Sequence, residues 1–447
     1  MNTELLSVLS QQTKNNWLGD ASLSLLQQTQ ARIDELVSFQ ARYKYKPTTL
    51  LLESEPVAYV AGFLAAVISE VPVFLGNPRW VNSERKAIGK LLQPNLIWGN
   101  NACIATYSTA GQQSPIIGIA TGGSSGKVRF ATHTIASLTA SVRGFRRYFE
   151  TEKINSCCTL PLYHISGLIQ IWRSLITKGK LLLVSYSQLK AQQYPHIEPQ
   201  DYFISLVPTQ LHFLLHHSDF WLSRFQAILL GGAPSWASLL NEARNKQLPI
   251  ATTYGMTETA SGVSFLLPRD FLAGNSSSGK VLPHAKISIV DAGGKAVSCG
   301  EVGIVKIAAE SLYRGYYPQV QEQEFILTDD VGKVDRQGFL CIVGRNSQKI
   351  VTGGENVYPA EVEAAILATK LVKDVSVIGM PDDKWGQAVT ALCIPIDGVT
   401  TDKIATKLRS RLTRYKQPKR WLTVSALPKD SKGKTNYPQL KAMAEEI

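Results

Sequence analysis

Residues 120–130 read ATGGSSGKVRF. They follow 115–119 (PIIGI), an apolar run that predicts a buried strand, and they precede the helix-compatible stretch 134–149. Glycines allow a backbone to turn its N–H groups toward an anion, and Ser and Thr hydroxyls add further donors. Lys127 and Arg129 supply positive charge, so the stretch suits a polyphosphate. A solvated Gly/Ser turn is the alternative, and this loop alone does not decide between the two.

Short apolar runs alternate with helix-compatible stretches on both sides of this loop, up to about residue 260. A regular alternation of this kind predicts an α/β fold, in which helices cover mostly parallel sheets. Residues 57–69 are apolar but too few to cross a bilayer, and we interpret them as a buried helix. The runs with strand character are 48–52, 71–75, 96–98, 116–120, 181–185, 202–207 and 227–230.

The pattern changes twice in the second half of the chain. Between about 280 and 344 it consists of short strands and Gly turns, which predict a small antiparallel β-barrel. A new α+β pattern then continues to the end of the sequence. We therefore expect a large N-terminal domain over 1–344 that includes the barrel, a hinge at 345–347, and a small mobile C-terminal lid domain over 348–447.

The composition predicts a globular protein in a reducing compartment. Hydrophobic residues make up 44% and charged residues 18% of the 447 residues. Six cysteines in so long a chain do not form a disulfide framework, and residues 1–20 lack the apolar core of a signal peptide. We therefore expect a cytoplasmic protein with no transmembrane segment.

The net charge of +12 raises the question of nucleic-acid binding. The basic residues are spread along the chain and form no run of the kind that marks a basic arm. Attraction for anionic nucleotides, or solubility, explains the charge equally well, so we expect no nucleic-acid partner. The sequence does not give the oligomeric state and leaves a homo-oligomer open.

A second cluster of small, hydroxyl and acidic side chains lies at 253–259, which reads TYGMTET. Tyr254 could stack on a base, and Thr257 could bond a phosphate oxygen. Glu258 could hold Mg²⁺, a hard cation that prefers oxygen ligands. An ordinary turn between a strand and a loop is the alternative.

Further candidate residues lie in loops. Residues 231–234 (GGAP) follow a buried strand, and such loops bind ligands in α/β folds. A carboxylate of the pair Asp329-Asp330 could chelate ribose hydroxyls, the pair 353–354 forms a Gly-Gly turn, and Lys434 lies on a glycine loop. His164 lies among apolar residues, where a hydrogen-bonded core histidine is the alternative. For the other loops the alternative is a tight turn or a solvated tail, so no single one of these loops indicates a binding site by itself.

The order and joint presence of these motifs are specific. A Thr/Ser/Gly loop, Tyr-Gly-x-Thr-Glu, Thr-x-Asp, Gly-Arg, Gly-Gly-Glu-Asn and a late Gly-Lys follow one another. In this order they resemble the acyl-adenylate-forming superfamily of acyl-CoA ligases, peptide-synthetase adenylation domains and luciferases, over nearly the whole chain. The branch that acts on 2-succinylbenzoate in menaquinone and phylloquinone synthesis is the most similar, through segments 160–168, 205–211, 229–234 and 417–422.

Four motifs depart from the family pattern. The phosphate loop usually ends Gly-x-Pro-Lys, whereas here Arg129 retains only the positive charge. The usual Thr-Gly-Asp reads Thr-Asp-Asp at 328–330, which keeps the ribose-binding acid. The hinge position is commonly Asp and is Ser347 in this chain. The late motif is usually Gly-Lys-Ile or Gly-Lys-Val, and here Lys434 is followed by Thr435.

The resemblance implies an AMP-forming acyl-CoA ligase that uses ATP, Mg²⁺ and, as co-substrate, CoA. The carboxylate of an aromatic acid would attack the α-phosphate of ATP, and the CoA thiol would then attack the acyl-adenylate. The implied catalytic residues are Lys434, Glu258, Thr257 and His164, with Glu258 on the metal. The implied ATP- and AMP-binding residues are Thr121, Gly122, Gly123, Ser124, Ser125, Gly126, Lys127, Gly232, Ala233, Pro234, Thr253, Tyr254, Gly255, Thr257, Asp330 and Arg345.

The acid and CoA need sites of their own. Gly353 and Gly354 would line the pantetheine tunnel, and Ser347 would act as the hinge. The second carboxylate of 2-succinylbenzoate requires a polar partner, because a charge left unpaired in an apolar site is costly. The sequence does not choose among the candidates for the acyl site, which are His164, Thr209, Gln210, His212 and Ser261.

Two alternatives remain at this stage, one within the ligases and one from another class of protein. One is a ligase for another acid, such as 4-coumarate or benzoate. The other is a nucleotide-binding relative that has lost catalysis, although the retention of Glu258, Asp330, Arg345 and Lys434 argues against it. Release of pyrophosphate on addition of ATP and acid would distinguish an enzyme from an inactive relative.

Overall fold

The computed structural model describes residues 1–99, 114–122, 128–235, 237–353, 355–383, 385–429 and 435–446. Two seven-stranded sheets and a four-stranded sheet form a large N-terminal part. A five-stranded sheet forms a small C-terminal domain. The expected α/β class with a large N-terminal and a small C-terminal domain is therefore confirmed.

The first sheet grows from β1 (Thr49–Leu52), an apolar strand with every residue buried. On either side β1 pairs in parallel with β2 (Val73–Leu75) and β3 (Leu96–Gly99). β2 pairs in parallel with β4 (Ile117–Gly122), and β4 pairs antiparallel with β5 (Val128–His133). The Gly/Ser stretch thus connects two neighbouring strands, and its central residues 123–127 lie outside the described residues.

The helices around this sheet follow from local signals. The helix over residues 56–68 begins with a proline, and the Glu55 carboxylate caps it by accepting from the N–H groups of Val57 and Ala58. Its residues 59–68 are all buried, which confirms the interpretation of this apolar stretch as a core helix. The α-helices described in this region are α1 (Thr3–Lys14), α2 (Ser22–Tyr43), α3 (Pro56–Ile68), α4 (Asn82–Leu92) and α5 (Ile135–Tyr148).

The second sheet has the same character over residues 155–281. Its first five strands pair in parallel, and the last two pair antiparallel. Its strands are β6 (Asn155–Cys158), β7 (Leu181–Leu183), β8 (Tyr202–Leu206), β9 (Ala227–Leu230), β10 (Ile250–Met256), β11 (Ser261–Phe265) and β12 (Lys280–Val281). Its helices are α6 (Ile165–Ile176), α7 (Tyr186–Lys190), α8 (Pro208–Leu215), α9 (Asp219–Leu222), α10 (Ala237–Asn245) and α11 (Pro268–Leu272).

One hydrophobic core joins the two large sheets. It takes residues from α3, α5 and α6 together with strand residues of both sheets. Trp172 of α6 illustrates the packing, since its ring meets the edge of Phe63 from α3. The Trp172 indole N–H donates to Thr139 of α5. This shared core fixes the two sheets relative to each other, and with them the loops at their edges.

The third sheet is antiparallel and contains β13 (Ala285–Val290), β14 (Gly303–Ala309), β17 (Ile326–Val334) and β18 (Leu340–Arg345). The expected antiparallel character is confirmed, but the strand pairing described does not close the sheet into a barrel. Two short strands, β15 (Gly315–Tyr316) and β16 (Gln319–Val320), leave this region and join the first sheet beside β5.

The C-terminal domain has hydrophobic clusters of its own that begin at Ile350. Its strand order is β20-β19-β22-β21, with β23 beside β22. The strands are β19 (Ile350–Thr352), β20 (Glu355–Val357), β21 (Val372–Asp382), β22 (Gly386–Pro395) and β23 (Arg420–Thr423). The helices are α12 (Pro359–Leu367), α13 (Thr401–Leu408) and α14 (Tyr437–Glu446).

Candidate active site

The loop after β9 and the end of β10 meet at the carboxyl edge of the second sheet, because these strands are parallel neighbours. A Cβ on Gly231 would lie 2.5 Å from the Cγ2 of Thr253, so glycine is needed there. Gly232 has a φ of +80°, a left-handed conformation that glycine adopts without strain. Ala233 and Pro234 continue the loop and are exposed. The predicted adenine loop therefore lies beside the predicted base-stacking strand.

Tyr254, Asp330 and Arg345 converge from three different strands. The Tyr254 hydroxyl donates to Asp330 Oδ2 at 2.8 Å, although 76 residues separate them. Arg345 Nε lies 3.3 Å from Asp330 Oδ1. The two residues lie opposite each other in the antiparallel pair of β17 and β18. Burial, and then the charge of Asp330, raise the pKa of Tyr254 well above its ordinary value. The phenol therefore stays protonated and holds the carboxylate in place.

Glu258 lies in a single 3₁₀ turn, Thr257–Thr259, directly after β10. Tyr316 of β15 donates its hydroxyl to Glu258 Oε1. The guanidinium of Arg129 lies over the Tyr316 ring, 4.1 Å from its centroid. Arg129 in turn pairs with Thr121 across β5 and β4. The structure thus brings Glu258 close to Arg129 and Thr121, the cation and the first threonine of the Gly/Ser stretch.

The backbone of the Glu258 turn is held by buried polar side chains. His133 Nε2 lies 2.8 Å from the Thr257 carbonyl oxygen, and the Ser141 hydroxyl donates to the Ala260 carbonyl. Burial lowers the pKa of His133 to about 4, so the ring is neutral at pH 7 and its Nε2–H donates. The Ser311 hydroxyl donates to the Thr259 carbonyl from the opposite side. These contacts fix the position of the Glu258 carboxylate.

The chain reverses sharply at the end of this turn. Ala260 and Ser261 have φ values of +51° and +92°, which are unusual for residues other than glycine. Gly255 on the neighbouring strand has no room for a side chain, since a Cβ there would lie 2.1 Å from the Ser261 carbonyl oxygen. Strained backbone of this kind persists where surrounding contacts over-determine it and is typical of functional sites.

Sequence reasoning missed Tyr316, His133, Ser141 and Ser311. The run 313–317 contains three tyrosines and was the one available signal for Tyr316. His133 ends β5, Ser141 lies in α5 and Ser311 lies in the turn after β14, and only the fold brings them to the Glu258 turn.

The three acyl-site candidates on α8, which are Thr209, Gln210 and His212, differ in exposure and in hydrogen bonding. The side-chain oxygen of Gln210 accepts the backbone N–H of Val207 at 3.1 Å, so it serves as part of the helix cap. Thr209 and His212 are exposed on the same helix. His212 meets the edge of the His216 ring one turn further along, with the ring centroids 5.2 Å apart. The structure therefore does not bring Gln210, Thr209 and His212 together around one ligand atom.

His164 lies at the N-cap of α6, where the chain is extended before the helix begins. It is partly buried, and its ring centroid lies 4.6 Å from that of Tyr163. It is therefore neither fully exposed nor enclosed in the core. Its partial exposure at a helix N-terminus is compatible with the predicted position beside the acyl pocket.

The C-terminal domain contributes Gly353, which has a φ of +59°. A Cβ on Gly353 would lie 2.9 Å from the Trp385 ring, and its N–H donates to the Trp385 carbonyl at 2.8 Å. Lys419 lies over the same ring, 4.7 Å from its centroid. The other predicted residues here, Gly354 and Lys434, lie outside the described residues, as do Gly123, Ser124, Ser125, Gly126 and Lys127.

The two departures from the family pattern at 328–330 and at the hinge are in contact. Ser347 donates its backbone N–H to Asp329 Oδ1 at 2.9 Å, and its hydroxyl donates to Asp329 Oδ2. Asp329 is the residue that replaces the usual glycine, and Ser347 replaces the usual hinge aspartate. The chain thus supplies a carboxylate to the predicted hinge from the neighbouring strand instead of from the hinge itself.

Comparison with known proteins agrees with these features. Residues 74–317 match the family of AMP-binding enzymes. Residues 361–434 match the family of C-terminal domains of AMP-binding enzymes. The chain belongs to the family of AMP-binding enzymes. The matched regions include the Gly/Ser stretch, the predicted adenine loop, the Glu258 turn and Lys434.

Its curated relatives include several ligases of one kind. The 2-succinylbenzoate–CoA ligase of Listeria monocytogenes is 34% identical over 297 residues, which make up 65% of this chain and 62% of that protein. The enzyme of the same name from Bacillus subtilis is 31% identical over 297 residues, or 65% of this chain and 61% of that protein. The matched segment thus spans less than two thirds of the length of these relatives.

Solved structures resemble the whole chain. The o-succinylbenzoate CoA synthetase (MenE) of Bacillus subtilis in complex with the acyl-adenylate intermediate OSB-AMP superimposes with a TM-score of 0.85. It is 25% identical, and the match covers 97% of both chains. Among the residues that the structure describes, no helix is both long and apolar enough to span a membrane.

Proposed function

We propose that this protein is an AMP-forming ligase that converts 2-succinylbenzoate into its CoA thioester. The observation that carries the proposal is the convergence of Tyr254, Asp330 and Arg345 beside the Gly231–Gly232 loop. The order of motifs and the relatives that act on 2-succinylbenzoate support it. The large and small domains also match the solved synthetase that carries an acyl-adenylate.

The nucleotide would lie along the carboxyl edge of the second sheet. Asp330 would accept the ribose hydroxyls, because Tyr254 and Arg345 hold its carboxylate and leave it 14% exposed. The hydroxyl of Thr253 is buried without a hydrogen-bond partner among the described residues, so it offers a polar group at the adenine end of the site. Gly232 and Ala233 would lie against the base.

The triphosphate would lie between the Gly/Ser stretch and the Glu258 turn. Glu258 fits a magnesium ion, since it presents a carboxylate with Tyr316 on one oxygen and with its turn fixed by His133. Bound there, Mg²⁺ would neutralise negative charge on the phosphates. The donors of residues 121–126 and Lys434 would serve the same purpose, because both reactants of the first step are anions.

The reaction would proceed in two steps, adenylation of the acid and formation of the thioester. A carboxylate oxygen of the acid attacks the α-phosphorus of ATP, and the bond to the leaving pyrophosphate breaks. The sulfur of CoA then attacks the acyl carbon, AMP leaves with the bonding electron pair, and the thiol proton is released. No protein nucleophile is needed, which agrees with the burial of Cys157 and Cys158 and with the raised pKa of both thiols.

The proposal extends to the setting of the enzyme. We expect it to act in the cytoplasm on a small aromatic acid, ATP and CoA, without a nucleic-acid partner and as a monomer or homo-oligomer. The net charge of +12 would then favour the attraction of three anionic substrates. A steep salt dependence of binding to random DNA would contradict this view.

The decisive experiment offers purified protein 2-succinylbenzoate, 4-coumarate, benzoate and aliphatic acids, each with ATP, Mg²⁺ and CoA. Mass spectrometry then follows AMP and the acyl-CoA. We expect the highest kcat/KM for 2-succinylbenzoate. Equal kcat/KM for coumarate and succinylbenzoate would overturn the proposed substrate, and an absence of both AMP and acyl-CoA with every acid would overturn the proposal of a ligase.

A further inference from the structure

Two histidines and one glutamate form a cluster between α8 and α10, and one of them, His212, is also among the residues predicted for the acyl site. His212 lies in α8, and His216 follows its last residue, so one helical turn separates them. Glu242 belongs to α10 and reaches across to them. One ligand atom from each of the three residues lies within 4.8 Å of the others.

The distances in this cluster suit metal coordination better than hydrogen bonding. His216 Nδ1 lies 3.5 Å from Glu242 Oε1, beyond the usual range for an N–H···O bond. Two ligands of one tetrahedral zinc ion, each bound at about 2.0–2.2 Å, stand about 3.4 Å apart. The distance between His216 Nδ1 and Glu242 Oε1 is therefore already close to the distance between two ligand atoms of one zinc ion. The ligand atom of His212 lies within 4.8 Å of those of the other two residues, and this side chain is exposed.

Electrostatic attraction alone gives little reason for this arrangement. The side chains of His216 and Glu242 are 49% and 34% exposed, and ion pairs in such surroundings contribute little to stability. Imidazole nitrogens with a carboxylate oxygen are, in contrast, a ligand set that zinc binds in many proteins. Magnesium prefers oxygen ligands alone, so this set is chemically distinct from Glu258.

We propose that His212, His216 and Glu242 form a binding site for Zn²⁺ or a similar divalent transition metal. Two neutral imidazoles and one carboxylate leave a fourth position for water. The metal would add a polar link between α8 and α10, which already pack in one hydrophobic cluster beside the second sheet. α8 begins directly after Val207, whose side chain packs near Gly232 of the adenine loop, so the metal would stiffen a helix that starts at the active site.

The test uses the full-length protein, stripped of metal with a chelator. Zn²⁺ is titrated in and followed by calorimetry and by thermal unfolding, because an ion that binds only the folded state raises its stability. Co²⁺ in place of Zn²⁺ reports the coordination geometry through its visible absorption. We expect one equivalent of Zn²⁺ to bind, a higher Tm, and no displacement by millimolar Mg²⁺.

Variants assign the ligands. His216→Ala should weaken Zn²⁺ binding by about tenfold or more, since even the loss of outer-shell partners costs a metal site that much. Glu242→Gln keeps the shape of the side chain, removes its charge and should act in the same direction. His217→Ala is the matched control, because His217 is exposed on the same segment but its Nδ1 lies 2.8 Å from the Phe213 carbonyl oxygen.

Each outcome decides the question. Weaker binding in His216→Ala and Glu242→Gln with unchanged binding in His217→Ala supports the site. Wild-type protein that binds no Zn²⁺, or His216→Ala and Glu242→Gln proteins that bind it as tightly as wild type, would overturn it. Neither result affects the ligase proposal, because the readout is metal binding and not thioester formation.

Discussion

At the scale of single residues, the contact between Asp329 and Ser347 links two departures from the family pattern. Each residue alone is an unexpected substitution, one in the Thr-x-Asp motif and one at the hinge. Together they place a carboxylate at the predicted hinge, since both the N–H and the hydroxyl of Ser347 donate to Asp329. We infer that the hinge of this chain is held by a pair of residues instead of by one.

Ser347→Pro should separate the two half-reactions. Proline fixes φ and removes the N–H that donates to Asp329, so the C-terminal domain should be trapped in one orientation. Pyrophosphate exchange and thioester formation from added acyl-adenylate are measured separately, and we expect one to be spared and the other impaired.

Ser347→Ala is the control for this substitution, because it removes the hydroxyl but keeps the N–H, and its effect should be smaller. If Ser347→Pro slows both half-reactions by the same factor, or slows neither, the domain does not pivot at this residue.

Lys434→Ala should abolish adenylate formation. A cation is needed where two anions approach, and charge-assisted contacts there are strong. Thioester formation from preformed acyl-adenylate should survive better, since the charge of that intermediate is already spread. Lys432→Ala, on the same segment, should leave both steps near wild type. Wild-type pyrophosphate exchange by the Lys434→Ala protein would refute this role.

At the scale of elements, the Glu258 turn depends on the junction of β5 and α5. His133 ends β5, and Ser141 lies in α5, so one strand–helix unit supplies two of the bonds that hold the turn. The same unit begins just after the Gly/Ser stretch. The predicted phosphate-binding stretch therefore leads directly into the strand–helix unit that holds the Glu258 turn.

This junction should make stability depend on pH. The pKa of His133 falls from its ordinary 6.5 to about 4 because the ring is fully buried. Between these values the unfolded chain binds a proton that the folded chain does not, so stability is full above pH 6.5 and is lost as pH falls toward 4. The contribution is on the order of 3 kcal/mol.

Denaturant unfolding of wild type and His133→Gln at several pH values measures this contribution. Glutamine does not titrate, so the difference in free energy of unfolding between the two proteins should shrink as pH falls from 6.5 to 4. A difference that stays constant over this range would exclude His133 as the titrating group.

The sequence predicted these elements unequally. Strands such as β1 and β9 are short apolar runs, and their local pattern is enough to identify them. The motif residues Tyr254, Asp330 and Arg345 were also accessible, because their order along the chain is characteristic. The hydrogen bond from Tyr316 to Glu258 could not be predicted from the sequence, because it depends on a pairing between β15 and β5 that no local periodicity encodes.

At the scale of the whole molecule, the hydrophobic cores divide near the proposed hinge. Among the described residues, the clusters of the N-terminal part extend no further than Ile342, and those of the C-terminal domain begin at Ile350. The segment between them contributes no buried apolar side chain to either set. Each part therefore has the means to fold without the other.

A fragment of residues 1–347 should consequently be folded and inactive. It keeps the predicted adenine and ribose sites but lacks Lys434, so it should bind AMP and fail to exchange pyrophosphate. Circular dichroism, cooperative thermal unfolding and calorimetry with AMP check these points. Full-length Lys434→Ala protein is the control, and an unfolded fragment or one that still forms adenylate would contradict the division.

The position of β15 and β16 has a consequence for how the protein is made. These strands complete the first sheet beside β5, and Thr132 there bonds to Gly315, 183 residues later. During synthesis on the ribosome, the edge of β5 stays unpaired while the whole second sheet emerges. An unpaired edge invites pairing with another chain, so the nascent protein is exposed to aggregation until Val320 has been released and is a natural client for chaperones.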